Sequence, residues 1–168
     1  MGCMNRRQFL FMGAALVADI VVFPGSTAAK EVVFRQASHH FEPVGMYQDL
    51  EIGKPLIFEY PKRSRVMNIL IRLGKRAGNG VGPQQDLVAF HTVCTHMGGD
   101  LKNSSISSEG AFGACPFHLS VFDLRRYGMV VSGHATSPLP QVNLEIQENQ
   151  IFATGFRELL YGRETNPA

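Results

Sequence analysis

Two short stretches of this chain carry the same kinds of side chain and decide how its middle is organised. Cys94–Gly99 reads Cys-Thr-His-Met-Gly-Gly, and Cys115–Ser120 reads Cys-Pro-Phe-His-Leu-Ser. The spacing is C-x-H, then eighteen residues (97–114), then C-x-x-H. Each stretch follows a candidate strand, so we expect both to be loops at strand ends. Four ligands from two such loops can converge on one metal centre.

Three interpretations of these four residues compete. Isolated cysteines and histidines are usually packed or hydrogen-bonded groups with no metal, but two tightly spaced pairs in Gly/Pro loops argue against coincidence. A structural zinc site accepts two thiolates and two imidazoles, although its usual spacing groups Cys with Cys and His with His. Here each loop supplies one of each. That arrangement suits a two-iron cluster in which one iron takes both thiolates and the other both imidazoles, and a zinc module remains the alternative.

Composition narrows the class without identifying a function. The 168 residues are 45% hydrophobic and 18% charged, which is typical of one globular domain. Sixteen Lys and Arg against fourteen Asp and Glu give a net charge of +2, too balanced for a nucleic-acid-binding protein. Seventeen Gly and nine Pro disfavour a helical bundle. Three cysteines exclude a disulfide-rich scaffold.

Hydrophobic patterning predicts short strands and no long helix. Val142–Ile146 alternates apolar and polar residues, and the turn at residues 148–150 leads to a return strand, which predicts a hairpin. The stretch Ser38–Leu50 is predicted to be a loop or a helical turn. The fold class is therefore all-β, an antiparallel sandwich. The predicted strands are Leu56–Tyr60, Val66–Leu73, Asp86–Thr92, Val142–Ile146 and Ile151–Thr154.

The first 29 residues have the pattern of an export signal. Arg6 and Arg7 precede an apolar run, Leu10–Phe23, and small residues follow at Ser26–Ala29. The paired arginines resemble a twin-arginine signal, which carries folded proteins. The apolar run is 14 residues, about 21 Å of helix against a hydrocarbon core of about 30 Å. We expect cleavage after residue 28 or 29 and a periplasmic domain of residues 30–168, with an uncleaved membrane anchor as the alternative.

The C-x-H and C-x-x-H loops together resemble those of the Rieske [2Fe–2S] proteins, in which two histidines ligate one iron. The resemblance covers residues 86–140 and implies a sandwich with a small inserted cluster-binding subdomain. It implies one [2Fe–2S] cluster per chain, with Cys94 and Cys115 on one iron and His96 and His118 on the other. Neutral imidazoles remove negative charge from the cluster, so its potential is expected to exceed that of an all-cysteine cluster.

The resemblance also assigns roles around the four ligands. Ser120 stands where family members place a hydroxyl donor to a cluster sulfide, and Gly133–Pro140 resembles the proline loop that covers the cluster from a third side. Respiratory members carry a disulfide between the two loops, whereas this chain has Gly98 or Gly99 and Phe117 at those positions. They also tend to have a tyrosine donor where this chain has Phe122, which implies a lower potential than theirs.

The Cys-Thr-His-Met-Gly and Cys-Pro-Phe-His stretches and the twin-arginine leader make this chain similar to the small subunit of arsenite oxidase. That similarity implies a large subunit with molybdopterin and a [3Fe–4S] cluster, and a periplasmic cytochrome c or copper protein as acceptor. This chain would relay electrons and carry no catalytic residue. The alternatives are the Rieske subunit of a cytochrome bc-type complex, which needs a membrane anchor and the loop disulfide, and a dioxygenase ferredoxin, which has no export signal.

Three further features carry weaker predictions. His91 is expected on a strand surface, with a contact to the first Cys/His loop as the alternative. His134, in the proline loop, is expected to form a hydrogen bond with the backbone, and a position near the cluster is the alternative. Arg125 and Arg126 are expected to be a solvated turn, with a partner-docking surface as the alternative.

Because no disulfide joins the two loops, the cluster itself must hold them together. We therefore expect removal of the cluster to lower the melting temperature and to increase hydrogen exchange across residues 94–120. Differential scanning calorimetry and hydrogen–deuterium exchange on the holo and apo forms measure both effects. Equal melting temperatures would contradict this prediction.

Overall fold

The computed structural model describes residues 41–167, so the predicted export signal at residues 1–29 lies outside the described part. No described helix is long and apolar enough to cross a membrane. Ten strands and one short 3-10 helix, Tyr47–Asp49, make up the described chain. The strands are β1 (Glu42–Met46), β2 (Leu56–Glu59), β3 (Met67–Arg72), β4 (Leu87–His91), β5 (Ser105–Ile106), β6 (Ala111–Gly113), β7 (Val121–Asp123), β8 (Met129–Ser132), β9 (Gln141–Gln147) and β10 (Gln150–Phe156).

Six strands form one antiparallel sheet in the order β1-β10-β9-β4-β3-β2. All five residues of β4 are buried, as are the four central residues of β3. This explains why Ile69–Ile71 and Leu87–Phe90 are continuous apolar runs rather than alternating ones. The predicted hairpin is confirmed, because β9 and β10 pair from Gln147 and Gln150 outward. The all-β prediction is confirmed with it.

The other four strands form a small antiparallel sheet in the order β5-β6-β7-β8. Along the chain this sheet is inserted between β4 and β9, and it contains the second Cys/His stretch in the β6–β7 connection. The structure thus contains a small inserted sheet of the kind expected. The four strands have only two to four residues each, too few for a periodic pattern, and the sequence analysis did not predict them.

Alternate residues of β3 and β4 point to opposite faces and build two hydrophobic clusters. Leu70 and Ala89 pack in one cluster with side chains of β9 and β10. Ile69 and Phe90 pack in the other, which joins the large sheet to the small one. The joining cluster consists of Ile69, Ile71, Ala77, Val88, Phe90, Cys94, Leu101, Phe112, Cys115, Phe122, Leu124, Ala135 and Leu139. Both site cysteines are therefore core residues.

The segment predicted as a loop or helical turn contains both a strand and a turn. Residues 42–46 form β1 before the 3-10 helix. Pro43 cannot donate a ladder hydrogen bond, which argues against a strand in the sequence, but β1 lies at a sheet edge where proline is tolerated. The pairing with β10 shifts register between Pro43 and Gly45.

His91 is not the strand-surface residue that the sequence predicts. It is buried on β4, and its Nδ1–H donates to the Met67 carbonyl at 3.0 Å. The pKa of His91 is lowered to about 4, mainly by burial and to a smaller extent by Arg163, while the hydrogen bond to Met67 and the charge of Asp100 oppose the shift. The histidine is therefore neutral in the folded protein at physiological pH.

This buried histidine predicts acid sensitivity of the fold. The unfolded chain protonates His91 near pH 6.5, whereas the folded chain does so near pH 4. Stability is therefore complete above the unfolded value and falls as the pH drops between these two values, by on the order of 3 kcal/mol. Denaturant midpoints from pH 7 to pH 4 should decline less steeply for His91→Asn than for the wild-type chain. Parallel declines would contradict the assignment.

Candidate metal centre

The two Cys/His stretches form loops with the same backbone geometry. In the first, the Cys94 N–H donates to the Gly99 carbonyl at 2.8 Å and the Gly98 N–H donates to the Cys94 carbonyl at 3.0 Å. In the second, Cys115 and Ser120 form the corresponding bond at 2.9 Å, and the Leu119 N–H donates to the Cys115 carbonyl at 3.0 Å. Each loop follows a strand, as predicted. Each cysteine therefore occupies the first position of a closed six-residue loop.

The two thiols meet in the interior. Cys94 is 1% exposed and Cys115 is 2% exposed, and both are free. Burial raises the pKa of the Cys94 thiol; the His96 backbone N–H opposes this shift, while the neighbouring Cys115 sulfur adds to it. Two adjacent buried thiolates repel each other, so their ionised pair needs a positive charge between them.

The two imidazoles lie nearer the surface. The His96 and His118 rings are 4.6 Å apart between centroids, edge to face, and His118 is exposed. Partial burial lowers the pKa of His96, with repulsion from His118 and His134 adding to the shift. The four predicted ligand residues are thus brought together as a buried sulfur pair and an outer nitrogen pair.

Ser120 and the third loop complete the surroundings. The buried Ser120 Oγ accepts hydrogen bonds from the His134 and Ala135 backbone N–H groups, both at 3.1 Å. Its own O–H remains available as a donor, and it bonds the Cys94 sulfur. Thr95 Oγ1 donates to the Ser137 carbonyl at 2.8 Å. The loop at residues 133–140 is therefore attached to both ligand loops.

His134 lies beside both predicted histidine ligands, as the alternative for this residue expected. Besides the predicted backbone bond, its ring stacks on His96 with centroids 5.6 Å apart and lies 5.8 Å from the His118 ring. Its Nδ1 lies 3.3 Å from the His118 carbonyl oxygen. Only the fold brings this third imidazole to the other two, since His134 is sixteen residues from His118.

Gly99 and Phe117 occupy the facing positions of the two loops. A Cβ atom on Gly99 would lie 2.6 Å from the Cys115 sulfur and 3.4 Å from the Phe117 ring. No side chain fits at Gly99 without displacing that sulfur. The exposed Phe117 ring thus lies beside Gly99. These are the loop positions at which the resemblance to respiratory Rieske proteins would imply a disulfide.

The donor set fits a two-iron cluster. Iron bound between the thiolates would supply the positive charge that the buried sulfur pair lacks, while neutral imidazoles tolerate the exposed rim. Within residues 41–167, no three His, Cys, Asp or Glu side chains lie close enough together to hold a single metal ion. Cys94, Cys115, His96 and His118 are the residues that would hold the cluster, and their ligation stays a prediction.

Comparison with known proteins agrees with this donor set. The family model described as the Rieske [2Fe–2S] domain matches residues 45–143. The chain is 46% identical over 166 residues to the iodate reductase subunit IdrB of Denitromonas iodatirespirans, covering 99% of this chain and 88% of that protein. It is 44% identical over 162 residues to the IdrB subunit of Pseudomonas sp. (strain SCT), covering 95% of this chain and 83% of that protein.

A solved structure shares the fold. The soluble domain of the Rieske protein II (soxF) from Sulfolobus acidocaldarius superposes with a TM-score of 0.65, at 24% identity, covering 79% of this chain and 85% of that one. The predicted cofactor is confirmed at the level of the domain, and the zinc module is not supported. The arsenite oxidase group does not appear among these relatives. The chain belongs to the Rieske [2Fe–2S] domain family, and its domain binds a [2Fe–2S] cluster.

Proposed function

We propose that this chain is the electron-transfer subunit of a two-subunit oxidoreductase, and that it relays single electrons between a larger catalytic subunit and a redox protein. The family match carries this proposal, together with the exposed His118 and the half-buried His96, which lie beside each other above a buried sulfur pair. A [2Fe–2S] cluster supplies reversible one-electron transfer when bound. The chain itself has no substrate chemistry to perform.

The cysteines and the histidines of the site have different roles toward the cofactor. Cys94 and Cys115 anchor it from the core, where their sulfurs are shielded from solvent. His96 and His118 bring imidazole edges to the protein surface, where a redox partner can approach them. Polar contacts from the three loops keep these edges in a fixed position, which keeps the reorganisation that accompanies electron transfer small.

We infer that the catalytic subunit acts on an inorganic oxyanion, and we favour iodate as its substrate. The support is the similarity to two iodate reductase subunits, at 46% and 44% identity over nearly the whole chain. Electrons would then flow through this chain toward the catalytic subunit. Arsenite oxidation, implied by the resemblance of the Cys-Thr-His-Met-Gly and Cys-Pro-Phe-His stretches, is the second candidate, and it reverses the direction of flow.

The remaining proposals concern the partners and the compartment. We propose that the catalytic subunit carries molybdopterin and that the second partner is a periplasmic cytochrome c or copper protein. The sequence of residues 1–29 supports export in the folded state by the twin-arginine route. A periplasmic protein with a bound cluster and no disulfide fits that route, since the cofactor is inserted before export.

The direction of electron flow tests the function. The chain is purified with its catalytic subunit, and the cluster spectrum is followed after stoichiometric reduction or oxidation. We expect iodate to reoxidise the reduced cluster only when the catalytic subunit is present. Reduction of the oxidised cluster by arsenite, with no response to iodate, would establish the second candidate. No response to either oxyanion in the assembled complex would contradict both substrates.

Ser120 should tune the electron affinity of the site. Its O–H donates toward the Cys94 sulfur, and a hydrogen bond to sulfur stabilises the more negative, reduced state. Ser120→Ala removes that donor, so we expect the reduction potential to fall by on the order of 50 mV, the equivalent of about 1 kcal/mol for a one-electron couple. Protein-film voltammetry measures the shift.

The matched control for this substitution is Ser105→Ala, because the exposed Ser105 hydroxyl bonds only the Gly113 carbonyl of the neighbouring strand. Its potential should equal that of the wild-type chain. Ser120→Thr, which keeps the hydroxyl, should restore part of the shift. An unchanged potential in Ser120→Ala, with a fully loaded cluster, would show that the hydroxyl does not act on the cofactor.

A further inference from the structure

A basic depression lies between the β3–β4 connection and the β7–β8 turn, and none of its lining residues belongs to the two Cys/His loops. Its volume is about 610 Å³. Three arginines, Arg76, Arg125 and Arg126, line it together with Tyr127 and the backbone of residues 77–80, and no carboxylate is among the lining residues. The Arg125–Arg126 pair noted in the sequence is therefore not an isolated solvated turn, because the fold adds a third arginine from a distant loop.

Specific contacts hold the two walls of this depression in place. The Gly78 N–H donates to the Arg125 carbonyl at 2.8 Å. Gln141, which is fully buried, donates from Nε2 to the Gly78 carbonyl at 2.9 Å. A Cβ atom on Gly78 would lie 2.6 Å from the Tyr127 ring, so the ring packs directly against this glycine. Hydrogen bonds and packing between its two walls therefore fix the shape of the depression.

The positive charge of the depression is only partly compensated. Arg76 forms no ion pair with any carboxylate of residues 41–167. Arg126 Nε is 3.8 Å from Asp123, but its side chain is 79% exposed, so that pair is weak. Arg125 shares Glu109 with Lys75, at 3.4 Å and 2.6 Å. Each guanidinium is a planar fork of donors that suits carboxylate or phosphate oxygens.

An apolar strip continues from this depression. Tyr127, Met129 and Val131 are 47%, 55% and 59% exposed, and they alternate along the turn and strand β8. Strand β8 is an edge of the small sheet, so its outer side has no strand partner within residues 41–167. A small inorganic anion could occupy the arginines, but it would leave this strip in water. A polypeptide segment can cover both features.

We propose that the depression and the adjoining edge of β8 bind an extended acidic segment of the catalytic subunit, with its carboxylates on Arg76 and Arg126 and apolar side chains along Met129 and Val131. This inference rests on the proposed function, since it requires a catalytic partner. Residues of this surface are separate from the histidine pair, so substitutions can weaken the attachment without changing the electron-transfer groups at the His96–His118 rim.

Charge reversal tests the proposal. The full, cluster-loaded chain carrying Arg76→Glu and Arg126→Glu is compared with wild type for binding to the purified catalytic subunit by biolayer interferometry. We expect the dissociation constant to rise at least tenfold at low salt and the salt dependence of binding to become shallower. The neutral double variant Arg76→Gln/Arg126→Gln should give a smaller rise. The spectrum of the cluster should be unchanged in all variants.

The matched control is Lys54→Glu/Arg63→Glu, which changes the net charge equally at two exposed positions flanking β2, the far edge of the large sheet. It should bind as wild type does. Equal binding by the Arg76→Glu/Arg126→Glu variant and the control variant would overturn the docking proposal and leave the proposed function standing. Failure of the wild-type chain to bind the catalytic subunit would overturn the proposed function, and the docking proposal with it. A third outcome is that the Arg76→Glu/Arg126→Glu chain, measured alone, no longer binds inorganic phosphate but still binds the catalytic subunit. That result would assign the depression to a small anion and overturn the docking proposal.

Discussion

The burial of two thiols, Cys94 and Cys115, inside the hydrophobic cluster that joins the two sheets is the constraint on which this structure depends. A thiolate pair in an apolar core is tolerated only with a compensating cation. A cluster held by Cys94 and Cys115, as we predict, would therefore be part of the core that attaches the small sheet to the large one. Its binding energy would contribute to folding, as in other small metalloproteins. This arrangement does without the loop disulfide of the respiratory relatives, because the site cysteines are the only cysteines of the described chain.

The burial of the two thiols also decides which groups of the site face the core and which face the solvent. The two thiols, which as predicted ligands would need shielding from water, lie in the core, whereas the two imidazoles, which tolerate solvent when neutral, lie nearer the surface. The repeated loop geometry places one ligand of each kind on each loop, and Ser120 connects the second loop to the third through two backbone donors. Gly99 keeps the space that the Cys115 sulfur occupies.

The proposed assignments separate two kinds of surface on one small domain. The histidine rim suits brief contact with a redox partner, whereas the arginine-lined depression with its apolar strand edge suits a lasting attachment. The two surfaces use different loops, so a mutation in one need not impair the other. Each surface combines a connection of the large sheet with a connection of the small sheet, and the strands of the small sheet are too short to be stable without the core beneath them.

The sequence by itself predicted the Cys and His donor types of the site and five of the six strands of the larger sheet, with β1 as the exception. The spacing of cysteines and histidines can be recognised in the sequence without knowledge of the fold. Strands β3, β4, β9 and β10 are long enough for their hydrophobic patterns to be recognised as well. Only the tertiary structure decided the rest. Packing between distant segments brought His134 to the histidine pair, buried His91 and placed Arg76 beside Arg125 and Arg126. Such contacts depend on long-range chain pairing, which leaves no local periodic signal in the sequence.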